Sequence, residues 1–325
     1  MTRVRIGFIG AGGIAGRHLG NLLGFSDVEI TAVSDPLQDR CDAFAARAGR
    51  ARVYADWRTM LDDNELDALY ICTPPFAHGP PELRAIEQCI PFFVEKPIAA
   101  DFAMGERIAR AVEQAGLVTA VGYHWRYLDT TEEAQALLAR NPAKLVLGYW
   151  LDCTPPAPWW SRKSLSGGQM VEQTTHIFDL ARLLVSDVSE VFAMESQAHV
   201  EKSGDDISKV STVTLRFDSG ALGSISSTCL LSWRHRVELQ LYCEGMAIEL
   251  SEFDLLIDIG QGRPVQKAQV DPFIREDRDF LDAVQGKANR IRAPYAEAAR
   301  THILASAATR SAAEGQLIRP HNNRS

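Results

Sequence analysis

Up to Tyr123 the chain alternates short runs that are apolar throughout with longer stretches of mixed character. The runs are residues 4–10 (VRIGFIG), 28–35 (VEITAVSD), 66–74 (LDALYICTP), 91–97 (PFFVEKP) and 117–123 (LVTAVGY); helix-length segments at 14–24, 38–48, 76–89 and 101–115 separate them. Strands that are apolar on both faces and joined through helices belong to a parallel sheet covered on both sides. The pattern predicts a doubly wound α/β domain over residues 1–122.

Beyond Tyr123 the period changes. A helix near 130–139, a strand at 144–152 (KLVLGYWLD), a Pro/Trp-rich loop (TPPAPWWSRKS) and a helix over 167–184 (GGQMVEQTTHIFDLARLL) lead into strands of another kind. STVTLRF, ALGSISST, VELQLYC and MAIELS alternate apolar and polar positions, with turns at Asp218-Ser219-Gly220 and Glu244-Gly245. Alternation makes a sheet with one buried and one polar face. Helices near 272–286 and 295–313 close the chain, so residues 123–325 are expected as a second α/β domain. No low-complexity linker intervenes, which predicts a tight hinge.

Composition narrows the partner. With 325 residues and 46% hydrophobic content the chain can bury two cores. A formal net charge of -8, without a block of like charge, argues against nucleic acid and against an anionic membrane surface. No apolar run has the length of a membrane span, and the first residues pass directly into a strand, so a cytoplasmic protein with a small-molecule partner is expected. Six cysteines without a Cys-x-x-Cys pair read as reduced, packed thiols. His18, His78, His124, His176 and His199 share no ligand spacing, and no metal site is expected.

The first strand runs into Gly10-Ala-Gly12-Gly13-Ile14-Ala15-Gly16, which fits G-x-G-x-x-G/A at a strand-to-helix turn. Gly10 allows the tight turn, Gly12 lets the backbone approach a pyrophosphate, and Ala15 lets the helix pack close. The anion would sit on the N–H groups of the helix start. Asp35 ends the second strand, where a carboxylate can hold the ribose hydroxyls and repel a 2′-phosphate. This favours NAD over NADP, although Arg40 nearby keeps NADP open.

Ligands of open parallel sheets bind beyond the carboxyl ends of the strands. There the chain places Thr73-Pro74-Pro75-Phe76-Ala77-His78 and Glu95-Lys96-Pro97. An ammonium at Lys96 can stabilise a developing alkoxide during hydride transfer. In the later helix Glu172 and His176 are four apart, a spacing that puts them on one helical face. An imidazole titrating near neutrality suits removal of a hydroxyl proton. The bland alternative is an interior histidine paired with Asp179 or a threonine.

Together these residues resemble the glucose-fructose oxidoreductase/inositol dehydrogenase/MocA (Gfo/Idh/MocA) oxidoreductases. The glycine turn with His18, the Thr-Pro-x-x-x-His segment, Glu95-Lys96-Pro97, Tyr123-His124-Trp125-Arg126 and the helix with His176 carry the resemblance over nearly the whole chain. It implies a nicotinamide-binding Rossmann domain and an α/β domain with a large, mostly antiparallel open sheet that often mediates dimers or tetramers. It also implies sugar or cyclitol substrates. Carried over, Lys96 is the lysine of the reacting centre, His176 exchanges the hydroxyl proton, and Glu172 stands where the family often has Asp. Pro75 replaces a usual Asn, and His18 is read as structural.

The expected cofactor contacts are Gly10, Gly12, Gly13, Ile14, Asp35, Thr73, Pro74, His78, Glu95 and Lys96. The expected substrate contacts are His124, Arg126, Trp160, Glu172, Gln173 and His176. Arg126 can instead bridge the domains, and Trp160 can be a sugar platform, a hydrophobic plug or a subunit contact. The expectation is an NAD(P)-dependent dehydrogenase for a secondary hydroxyl of a sugar or cyclitol, acting as a homo-oligomer. A redox-neutral NAD-dependent glycosidase or epimerase, and an NAD- or sugar-sensing regulator, are the alternatives.

Overall fold

A computed structural model of the chain describes residues 3–63, 65–196 and 204–320; His199 lies outside them. The elements of the first half are β1 (Val4–Ile9), α1 (Gly13–Leu22), β2 (Val28–Ser34), α2 (Gln38–Ala48), β3 (Arg52–Tyr54), α3 (Trp57–Asp63), β4 (Ala68–Ile71), α4 (Pro80–Glu87), β5 (Phe92–Val94), α5 (Phe102–Ala115) and β6 (Thr119–Val121). There follow α6 (Asp129–Leu138), β7 (Leu145–Cys153), α7 (Lys163–Ser166), α8 (Gln169–Glu172), α9 (Thr175–Leu184), β8 (Val188–Glu195), β9 (Val210–Phe217) and β10 (Leu222–Leu231). The last are β11 (Arg236–Cys243), β12 (Met246–Ser251), β13 (Asp254–Asp258), β14 (Val265–Lys267), α10 (Pro272–Val284) and α11 (Tyr295–Glu314).

Packing divides the chain into two compact units. Unit 1 comprises residues 1–99, 103–124 and 272–299; unit 2 comprises 100–102, 125–271 and 300–325. Where the sequence pattern suggests a single cut after residue 122, α10 belongs with the first unit. The reason is apolar: Phe280 and Leu281 of α10 are buried with Ile6, Phe8 and Leu19. Ala293 and Tyr295 join a second core with Ile71 and Phe92, and the Val121 N–H donates to the Ala293 carbonyl at 2.9 Å.

Unit 1 is built on a sheet of order β3-β2-β1-β4-β5-β6 with every described pair parallel. The order reverses at β1, and such a switch point opens the ligand crevice of a doubly wound sheet. Phe8, Tyr70 and Phe93 are register neighbours on β1, β4 and β5, and their rings stack at 4.9 and 5.0 Å. The pattern of apolar runs does not pick out β3, which has three partly exposed residues and is too short to display a period.

Unit 2 carries a sheet of order β14-β13-β12-β11-β7-β10-β9-β8, antiparallel except for β7 with β10. One face buries Val213, Leu215, Ile225, Leu239 and Ile248 against Ile177 and Leu180 of α9 and Leu304 of α11. Gly148 of β7 makes this close packing possible, since a Cβ there would lie 2.6 Å from Ile177 Cγ2. Both expected architectures, the parallel doubly wound sheet and the large, mostly antiparallel one, are present. Among the described residues no helix is long and apolar enough to cross a membrane, and the six cysteines are free thiols.

The single helix expected over 167–184 needs correction. Gly167 and Gly168 take positive φ (80° and 91°), and the segment is divided into α8 and α9 with Gln173 and Thr174 between them. Thr174 donates its hydroxyl to Ser227 Oγ of β10 at 2.8 Å, a tertiary bond that fixes the break.

Candidate active site

In unit 1 the glycine turn is shaped by backbone need. Gly10 has φ +94°, and a Cβ on it would lie 2.4 Å from the Cys72 carbonyl oxygen. An added Cβ at Gly12 or Gly13 would meet nothing within 4 Å, so the space before α1 is open. Gly12 caps α1 without a side-chain bond, and the first turn holds no acid. The first N–H groups of α1 therefore present the positive end of the helix to whatever occupies that space. Ala15 is fully buried against the sheet, as the fingerprint requires, while Ile14 is half-buried.

Asp35 is positioned by its own turn. Its Oδ2 accepts the Ala11 N–H and its Oδ1 the Leu37 N–H, both at 2.9 Å. A carboxylate has about four lone-pair sites, so acceptor capacity remains for ribose hydroxyls. After β4, the Thr73 hydroxyl oxygen is buried without a hydrogen-bond partner among the described residues; Pro74 then leads into a 3-10 turn, Pro75–Ala77. The open cradle at Gly12 and Gly13, the uncapped helix start and the orphaned Thr73 hydroxyl fit a dinucleotide.

His78 is held from one side. Its Nδ1 lies 2.5 Å from Glu82 Oε1, whose other oxygen accepts the Gly79 N–H at 2.6 Å and so caps α4. The ring's Nε2 is buried without a hydrogen-bond partner among the described residues, and only that edge is left for a cofactor.

Glu95, expected from the sequence to be a cofactor contact, is an interior group. Its Oε1 lies 3.0 Å from His18 Nε2 and its Oε2 accepts the Lys96 N–H at 3.0 Å. A Cβ on Gly122 would come within 2.7 Å of the same carboxylate. The His18 Nδ1 in turn lies 2.7 Å from Asp277 Oδ1 of α10, which also accepts the Tyr70 hydroxyl at 3.1 Å; Asn21 donates to Asp277 Oδ2 at 2.9 Å. Burial opposes charge on His18, but Asp277 and then Glu95 hold its pKa well above the ordinary histidine value. Burial likewise pushes Glu95 up, and the hydrogen bond and charge of His18 outweigh it, leaving the carboxyl below its usual range.

Ligand atoms of His18, Glu95 and Glu276 lie within 4.8 Å of one another. Both imidazole nitrogens are already taken up by carboxylates, at 2.7 Å from Asp277 and 3.0 Å from Glu95. Asp277 is not among the expected site residues, because no local pattern ties α10 to His18 and Tyr70, 259 and 207 residues earlier. Lys96 itself is half-buried, and the Lys96–Pro97 peptide is cis. His124 is buried with its ring stacked on Phe273 at 4.2 Å.

In unit 2, His176 is the second residue of α9, and its buried ring lies parallel to two indoles. Trp150 of β7 is at 5.5 Å and 13°, and Trp125 at 6.4 Å and 25°. Trp150 is absent from the expected contacts, although strand alternation in KLVLGYWLD gives its parity. Glu172 ends α8, so it does not share one continuous helical face with His176. Its Oε2 accepts the Trp160 indole N–H at 2.7 Å. Trp160 is 1% exposed and packs with Ile207 and Cys229, which makes it an interior ring that orients Glu172 rather than an open platform for a sugar.

Gln173 is also buried, accepting from Gln169 at 3.2 Å and donating to the Cys153 carbonyl at 3.3 Å. Arg126 is 3% exposed and grips Asp179 with two bonds of 2.7 Å. Thr301 donates to the same Asp179 at 2.7 Å and accepts from Arg182 at 2.7 Å. The guanidinium expected at substrate and the acid considered as a partner of His176 are thus partners of each other.

Comparison with known proteins bears on the family and the fold. Residues 4–123 match the oxidoreductase family with an NAD-binding Rossmann fold, and residues 143–249 match the GFO/IDH/MocA C-terminal domain. The chain is 29% identical over 245 residues to myo-inositol 2-dehydrogenase of Thermotoga maritima, covering 73% of this chain and 72% of that protein. It is 26% identical over 248 residues to scyllo-inositol 2-dehydrogenase (NAD(+)) of Bacillus subtilis, covering 74% and 71%. Levoglucosan dehydrogenase, solved with NADH and levoglucosan, shares the fold at a TM-score of 0.87 and 20% identity, over 99% of this chain and 100% of that one. The WlbA dehydrogenase of Bordetella pertussis, solved with NADH and UDP-GlcNAcA, does so at 0.85 and 21%, over 98% of each.

Proposed function

The chain belongs to the Gfo/Idh/MocA oxidoreductase family, and from that premise we propose that it oxidises a secondary hydroxyl of a cyclitol or sugar. Bound NAD supplies the nicotinamide ring that takes the hydride. Gly12, Gly13 and the first turn of α1 hold its pyrophosphate, Asp35 its adenosine ribose, and the Thr73 hydroxyl a further polar group. The observation that carries the reading is the open, uncapped start of α1 at the switch point of the sheet whose β5 runs into Lys96.

The His176 imidazole takes the hydroxyl proton as the hydride leaves, and the Lys96 ammonium stabilises charge developing on the same oxygen. Trp150 and Trp125 hold the imidazole plane, so the ring meets its proton in one orientation. Glu172, turned by Trp160, receives a neighbouring hydroxyl, with His124 and Gln173 beside the substrate. Arg126 acts by holding Asp179 in α9, the helix that carries His176. The inositol dehydrogenases among the relatives support a cyclitol or sugar as the substrate class.

The test is a panel of inositols, aldoses and sugar acids incubated with NAD and, separately, NADP, followed by absorbance of the reduced coenzyme. At least one cyclitol or sugar should reduce NAD faster than NADP. Absence of net reduction across the panel, or preference for NADP, contradicts the reading.

A further inference from the structure

One fully buried titratable group in unit 1 has no part in the proposed chemistry. His18 has no exposed surface and lies between Asp277 and Glu95 at 2.7 and 3.0 Å. A neutral imidazole has one N–H, so two ionised carboxylates can both be satisfied only by the imidazolium. Buried ion pairs of this kind yield little net stability over well-packed apolar residues. What the arrangement does supply is a fixed geometry.

Each end of the bridge is locked. Tyr70 and Asn21 hold both oxygens of Asp277, so that carboxylate cannot swing away from His18. Glu95 has His18 on one oxygen and the Lys96 N–H on the other, and Gly122 leaves just enough room for it. His18 also lies on α1, the helix that opens at Gly13 with the uncapped turn. One rigid helix thus carries both the open glycine turn and the base that fixes the turn containing Lys96.

We propose that His18 is a positioning residue. By bridging Asp277 to Glu95 it sets the carboxylate that anchors the Lys96 backbone, and so registers the lysine against the glycine turn of the same helix. The inference rests on Lys96 being the lysine of the reacting centre. The titratable groups that face the imidazole are Asp277 and Glu276 on α10, Tyr70 on β4 and Glu95 after β5; Cys72 acts on Glu95, Asp277 and Glu276, and Lys96 and His124 on Glu95.

The experiment uses the full chain with 15N-labelled histidine and with lysines dimethylated by 13C-formaldehyde, the Lys96 signal being assigned from Lys96→Arg. Both ring nitrogens of His18 should carry protons at neutral pH. In His18→Gln the Lys96 methyl signal should move while those of the other lysines stay, and turnover should fall at least about tenfold with KM and NAD affinity unchanged. A singly protonated His18, or an unmoved Lys96 signal in folded His18→Gln protein, overturns the proposal. If His18→Gln does not fold, Glu95→Gln takes its place, and there too a shifted Lys96 signal supports the proposal and an unmoved one overturns it. A wild-type protein that reduces NAD with no polyol defeats the proposed function, yet the lysine signal still decides the role of His18.

Discussion

Each unit buries an ion cluster, and the two are built on different bases. In unit 1 the base is His18 between Asp277 and Glu95; in unit 2 it is Arg126 on Asp179, extended through Thr301 to Arg182. A guanidinium stays charged at any pH a folded protein meets, whereas an imidazolium can shed its proton when its partners are removed. The arginine cluster is consequently a permanent clamp on α9, the helix that carries His176. The histidine cluster is conditional on protonation, and it lies directly behind the turn that carries Lys96.

The sharpest way to break this contrast is to remove one acid from each cluster. Asp179→Ala removes the buried acid that Arg126 grips with two bonds, and the expected cost is about 3–5 kcal/mol of folding stability, the same at pH 6 and pH 9, read from denaturant titrations. Asp277→Ala should cost less, about 1–3 kcal/mol, because His18 can give up its proton. Its cost should also shrink as pH rises. Equal, pH-independent losses in the two variants would remove the distinction.

A smaller effect sharpens the comparison in the unmodified protein. The folded pKa of His18 is raised, so its contribution to stability is complete below the unfolded value of about 6.5 and is lost as pH rises through the folded value. The folded pKa of Glu95 is lowered, so its contribution is present above the ordinary carboxylate range and is lost as pH falls through the folded value. Thermal melts should show Tm declining above about pH 6.5, with that decline reduced in His18→Gln. Parallel profiles for the two proteins would mean that His18 does not titrate with folding.

How much of the molecule is legible in its sequence depends on whether local pattern or distant packing decides each feature. The runs that form β1, β2, β4, β5 and β6 declare themselves because both of their faces are buried. The glycine turn is legible because Gly10 answers a backbone requirement that no other residue meets. Glu172 and His176 read as helix neighbours because Gln173-Thr174-Thr175 contains no breaker, and the bond from Thr174 to Ser227 that fixes the break joins residues 53 apart. Trp160 and Arg126 look like ligand contacts because large polar aromatics and guanidinia serve both surface and interior. Distant partners, Ile207 and Cys229 for the indole and Asp179 for the guanidinium, help put these two inside.

Centrally, Lys96 is held to act on a polyol hydroxyl beside bound NAD. The most direct test measures NADH formation in wild-type and Lys96→Ala protein with the best substrate of the panel, alongside NAD titrations of both. Turnover should fall by about a hundredfold or more while NAD affinity is retained. Comparable turnover in the two proteins would contradict that role for the lysine.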